Sequence, residues 1–189
     1  MHGVGNMSKR KVRLVIYCED KLQECFARRF LYGMRWTKND IRVTPYPIGR
    51  GSAEQWVREA YIKELALFHR KLRTYAMIVI TDGDDLGVVK RINQLEQACI
   101  TADVRPRSKD DAVAIVVPTW SIETWIKYLE GSDYNEQQKT VKKKKDECKC
   151  YPAVDKLLAL CKKKCLPQDA PSSLHAACVE FTTRIHNKM

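Results

Sequence analysis

Tyr75-Ala76-Met77-Ile78-Val79-Ile80-Thr81-Asp82-Gly83-Asp84-Asp85 carries the clearest signature of architecture in the chain. Tyr75 to Thr81 has the strongest buried-strand character in the chain, an apolar run without polar alternation, as expected of a strand covered on both faces. It ends abruptly in acids and a glycine, after which Val88 to Ile100 reads as helical. Working back, Val12 to Tyr17 reads as a first buried strand. Asp20 can cap a helix through Leu31 whose apolar positions Leu22, Phe26, Phe30 and Leu31 share one face. Ile41 to Ile48 reads as a second strand, confined to an edge by Pro45 and Pro47. Gly49-Arg50-Gly51 breaks the chain, and Ser52 caps a helix with the stripe Val57, Tyr61, Leu65, Phe68 and Leu72. Working forward, Asp111 to Val117 is a fourth strand closed by Pro118. Trp120 to Leu129 is a helix that turns Ile122, Trp125, Ile126 and Leu129 inward. The order βαβαβαβα predicts an α/β fold, a mainly parallel four-stranded sheet flanked by helices.

From Gly131 the composition changes. Lys139 to Lys149 holds six lysines in eleven residues, and two helices, about Pro152 to Lys164 and Pro171 to Ile185, finish the chain. The expected organisation is a flexible N-terminus at 1–11, an α/β core at 12–130, and at 131–189 a lysine-rich segment with a helical tail packed on the core. The whole chain has 189 residues, the size of one domain, and 44% hydrophobic residues, enough for a packed core rather than a disordered or fibrous chain. No apolar run approaches the roughly 20 residues that cross a bilayer, and no signal-peptide core precedes Cys18. The expectation is a cytoplasmic protein with no membrane partner. Eight cysteines are therefore read first as reduced thiols. Five of them fall in the last 42 residues, with His175 and His186, which raises zinc as an alternative. Cys148-x-Cys150 and Cys161-x3-Cys165 lack the paired spacing of zinc ribbons and fingers.

The formal net charge is +11, yet acids gather where ligands bind in an open parallel sheet, beyond the carboxyl ends of the strands. Glu19 and Asp20 follow the first strand, Asp82, Asp84 and Asp85 the third, and Glu123 lies a turn into the helix after the fourth. Converging carboxylates repel and raise one another's pKa unless a cation joins them. Oxygen ligands select Mg²⁺, Mn²⁺ or Ca²⁺ rather than zinc, and magnesium takes only one or two carboxylates beside water and phosphate oxygens. A basic protein with such a rim suits phosphodiester chemistry on nucleic acid, DNA or RNA. Arg50, Arg105, Arg107, Lys109 and the run Lys142, Lys143, Lys144 and Lys145 would neutralise backbone phosphates. Each feature has a plainer reading: Glu19 and Asp20 as helix caps, Asp82-x-Asp84 as a turn, Asp85 as a cap, the lysine run as a solvated loop. Trp36, Trp56, Trp120 and Trp125 are candidates for base stacking, with Trp56 and Trp125 at core positions of their helices.

Cys18-Glu19-Asp20 after the first strand and Thr81-Asp82-Gly83-Asp84-Asp85 after a later one, in an α/β frame, resemble the Toprim domain of topoisomerases, primases and OLD-family nucleases. Pro118-x4-Glu123-Thr124-Trp125 looks like the third acidic motif of small stand-alone Toprim-like proteins, some of them linked to phage defence. The resemblance implies Glu19 as metal ligand or general acid/base, Asp82 and Asp84 as Mg²⁺ ligands, and Glu123 as a further ligand or the group that orients water. Asp85 is an additional acid beside them. The chain departs from the Toprim pattern at Asp20, where glycine is usual. The expected function is metal-dependent hydrolysis of nucleic acid, a Mg²⁺- or Mn²⁺-dependent nuclease. The alternative is a non-catalytic subunit that senses nucleic acid or docks on a partner ATPase. A phosphoacceptor domain is disfavoured by the missing fifth strand and its lysine, and no Gly-x-Ser-x-Gly elbow supports a nucleophilic triad.

Overall fold

The computed structural model describes residues 13–44, 46–47, 51–70, 75–139, 147–162 and 166–188. Its strands are β1 (Arg13–Cys18), β2 (Ile41–Thr44), β3 (Tyr75–Ile80) and β4 (Val113–Val116). Its helices are α1 (Lys21–Gly33), α2 (Ala53–Arg70), α3 (Gly87–Thr101), α4 (Ile122–Glu130), α5 (Tyr151–Lys162) and α6 (Ser172–Arg184). The architecture is α/β, and every strand pairing is parallel, in the order β2-β1-β3-β4. The expected second strand is shorter than its sequence reading: it stops at Thr44, ahead of the prolines, and it is an edge strand. The fourth strand is likewise trimmed to Val113–Val116.

The alternation of side chains along each strand divides the core. Val15, Tyr17, Met77, Val79, Val113 and Ile115 face α2 and α3, where Val57, Tyr61, Leu65, Phe68, Leu95 and Cys99 meet them. Leu14, Ile16, Ala76, Ile78, Ile80 and Ala114 face the opposite layer, which holds Ala27 and Leu31 of α1 and Phe181 of α6. All six residues of β3 are buried, the direct result of having both faces covered. The tail joins this second layer: α5 packs on α1 and α4, and α6 on β4. At Gly33 a β-carbon would stand 2.1 Å from Leu158 Cδ1, so glycine lets α1 and α5 approach closely. Cys25 and Cys148 form a disulfide that ties α1 to the 3-10 turn Glu147–Cys150, which overturns the expectation of reduced thiols throughout. No described helix is long and apolar enough to cross a membrane.

Candidate active site at the carboxyl rim

The chain leaves β1 to form β2 on one side, then returns across the sheet to form β3 on the other. The carboxyl ends of β1 and β3 therefore flank the point where strand order reverses, the place where open α/β sheets open a crevice. Cys18 pairs with Ile80 in register, so Glu19 and Thr81-Asp82 leave the sheet side by side. Glu19 is 8% exposed and turns across this gap: its Oε1 accepts from Thr81 Oγ1 at 2.5 Å and from the Asp82 backbone N–H at 2.8 Å. Asp82 is 1% exposed, and its Oδ1 accepts from Gln23 Nε2 at 2.8 Å. Gln23 closes the ring, since its Oε1 accepts from the Glu19 N–H at 2.9 Å. Asp20 has the plainer role allowed by its position, capping α1 by accepting from the Gln23 N–H at 2.8 Å.

The loop after β3 is also bound to the loop after β4. The Gly83 N–H donates to Pro118 O at 2.9 Å and the Asp84 N–H to Trp120 O at 3.2 Å. A β-carbon at Gly83 would stand 2.2 Å from Thr119 O and 2.7 Å from Pro118 O, so a residue without a side chain is required for the two loops to touch. This contact brings in α4, whose first turn holds Glu123, half-buried. Asp84 lies in the left-handed region at φ 45°, a conformation that aspartate tolerates, and its side chain is 41% exposed at the lip. Asp85 is exposed in the 3-10 turn Asp84–Leu86 that leads into α3.

A buried guanidinium lies under this loop. Arg91 of α3 is 5% exposed; its Nε donates to Asp82 O at 2.8 Å and its Nη1 to Gln94 Oε1 at 2.7 Å. Its Nη1 is 3.2 Å from Glu54 Oε1, and its Nη2 is 3.4 Å from Asp84 Oδ2. Neither Gln23 nor Arg91 is a sequence-predicted site residue. The available signal was positional: Arg91 stands on the buried stripe of α3 with Leu95 and Cys99, and Gln23 among the buried residues of α1. A polar residue on an apolar stripe needs a partner, and both partners lie in the acidic loops.

The structure thus joins Glu19 to Asp82, turns Asp84 toward Arg91 and connects the Glu123 helix through Gly83. Among the described residues, no group of three or more His, Cys, Asp or Glu side chains is arranged to hold a metal ion. What the rim offers is a pair of buried carboxylates, Glu19 and Asp82, with the Asp84 side chain 41% exposed at the lip. Arg50, Lys142, Lys143, Lys144 and Lys145 lie outside the described residues. Arg107 is a brace rather than a phosphate contact: its buried guanidinium pairs with Glu180 and Glu96 and donates to Val113 O. Arg105 reaches Asp111 at 3.3 Å. Trp36 and Trp125 are buried, Trp125 donating to Ser173 Oγ at 2.7 Å, so neither presents a ring for base stacking. Trp56 is half-buried against Tyr17 and Tyr46. No family model, curated protein or solved structure matches this chain.

Proposed function

We propose that the carboxyl rim is the centre of a Toprim-like, Mg²⁺- or Mn²⁺-dependent nuclease that hydrolyses phosphodiesters of nucleic acid in the cytoplasm, with phage defence as its setting. One observation carries the reading: Glu19 and Asp82 are locked together across the β1–β3 junction at the reversal of strand order. Glu19 and Asp82 would hold the cation, with Asp84 at the lip beside them. A cation bound there would supply Lewis-acid activation of the phosphodiester and of water. Gln23 keeps the Asp82 carboxylate oriented, and Arg91 anchors the Asp82 carbonyl so that the loop does not shift as charge accumulates. Glu123 orients the attacking water and accepts its proton at the carboxylate. A net charge of +11 draws polyanions to the surface in a salt-dependent, sequence-independent way.

The test is cleavage of plasmid, linear and single-stranded DNA and of RNA with Mg²⁺ or Mn²⁺, for the wild type, Asp82→Ala and Asp84→Ala. The expected result is cutting by wild type that both substitutions abolish in folded protein. A second reading, a non-catalytic subunit that senses nucleic acid or docks on a partner ATPase, draws on the lean of Asp84 toward Arg91 rather than toward Glu19. Binding of nucleic acid without cutting under either metal would replace the first reading with the second.

A further inference from the structure

The helical layer carries a pair of thiols that take no part in the acidic rim. Cys161 on α5 and Cys178 on α6 are both free and half-buried, and both line one groove of about 580 Å³ with Phe30, Met34, Leu166 and His175. Each thiol is the leading influence on the other's titration, and both side chains lie on the wall of that one groove. The other described cysteines outside the disulfide, Cys18, Cys99 and Cys150, are buried. Burial pushes the Cys18 thiol up to about 12 and those of Cys99 and Cys150 up to about 11, which leaves them inert. The pair divides differently. Cys178 lowers the Cys161 thiol below its ordinary value against the opposing effect of burial, while Cys178 is raised by Cys161 and by burial.

We propose that Cys161 and Cys178 form a dithiol–disulfide couple that reacts, through the groove, with a small disulfide oxidant. The Cys161 thiolate attacks one sulfur of the oxidant RSSR; the S–S bond breaks, and one RS⁻ leaves and takes up a proton. The Cys178 thiol then loses its proton, and its sulfur attacks Cys161 sulfur in the mixed disulfide, expelling the second RS⁻. The protein loses two electrons and two protons, and the oxidant becomes two RSH. The product cross-links α5 to α6, over the face of the sheet that also carries the Cys25–Cys148 disulfide between α1 and the turn before α5. This couple stands independently of the reading of the acidic rim.

The experiment is incubation of the full chain with oxidised glutathione, alkylation of the remaining thiols and peptide mapping with cleavage before Asp169, which separates Cys165 from Cys178. The expected result is a Cys161–Cys178 link that dithiothreitol reverses, that persists in Cys165→Ser, and that vanishes in Cys161→Ser and Cys178→Ser. The oxidised wild type should also melt about 5 °C or more above the reduced form. A link from Cys161 to Cys165, glutathione retained on Cys161 alone, or a full count of alkylated thiols at both positions would each overturn the proposal. The map of the wild type decides the matter even where a serine variant does not fold.

Discussion

Glu64 and Glu19 are both glutamates taken almost wholly out of water, at 7% and 8% exposure, and the chain satisfies them by different means. Glu64, on α2, spends both oxygens on side chains from the sheet. Its Oε2 accepts from the Tyr17 hydroxyl at 2.6 Å and its Oε1 from the Tyr75 hydroxyl at 2.7 Å. The Arg42 guanidinium reaches both oxygens at 3.1 Å and supplies the countercharge. Burial and the bond to Glu64 raise both tyrosine hydroxyls, which keeps them protonated as donors. Tyr17, Arg42 and Tyr75 belong to β1, β2 and β3, so Glu64 fastens a helix to three strands. Glu19 has donors of another kind, a hydroxyl and a main-chain N–H of the loop beyond β3, at the rim where two strands end. A buried carboxylate is thus not in itself a functional one. Glu64 lies beneath α2, where its partners are fixed by the packing of the core, whereas Glu19 sits at the reversal of strand order, the place where ligands bind in open α/β sheets.

The largest expected effect separates the two glutamates by activity. On the proposed function, Glu19→Gln and Asp82→Asn should each lower single-turnover cleavage by roughly 10²–10³-fold, because the amide keeps an acceptor but loses the charge that would hold a cation. Glu64→Gln should stay within about threefold of wild type, since no charge at the rim changes. An equal loss at Glu64 would break the comparison. Next comes stability in a urea melt. Glu64→Ala strands two buried hydroxyls without their acceptor and should cost about 2–3 kcal/mol, whereas Glu19→Gln, which preserves its two bonds, should cost under about 1 kcal/mol.

Gly83→Ala drives a methyl group into Thr119 O and Pro118 O, and the loops must part. The expected cost is about 1–3 kcal/mol, with cleavage falling further than stability alone explains because α4 and Glu123 shift with the loop. The smallest effect concerns pH and sharpens the contrast between structural and rim carboxylates. Glu136 is subject to burial, which raises its pKa, but hydrogen bonds from Ser173, Ser172 and Thr119 outweigh this and hold it below the usual 4.5. The folded state therefore binds that proton less readily than the unfolded chain. The contribution to stability is complete above about pH 4.5 and is lost as pH falls through the lowered value. Glu136→Gln should melt slightly lower at pH 7 and show a shallower loss of stability in that acid window, followed by thermal melts across pH 3–7.

Much of the fold is legible from the chain. The apolar run of β3 admits hardly any reading but a buried strand, and Pro45 and Pro47 mark β2 as an edge because proline cannot complete a ladder. The acids at strand ends were legible for the same reason: the end of a buried run is where polar residues resume. Gln23 and Arg91 were not. A glutamine or arginine within a helix has no assigned partner until the facing loops are known, and these partners lie 59 and 7 residues away for the Gln23–Asp82 and Arg91–Asp84 contacts. Trp36 follows α1 in a polar stretch that gives no sign of its burial at 4% exposure. The Cys25–Cys148 bond spans 123 residues, and spacing alone cannot choose one connectivity among eight cysteines.

The element order, the parallel α/β class and the residues at the carboxyl end of each strand follow from the chain alone, because hydrophobic periodicity and strand direction are local properties. Packing of the whole fold makes β1 and β3 neighbours, and with that come the meeting of Glu19 with Asp82, the ring through Gln23 and the support from Arg91. It also decided that Arg107 is a brace and Trp36 a core residue. Strand order follows from how helices of given size cover both faces of a twisted sheet, a property of the packed whole that no short stretch of sequence contains.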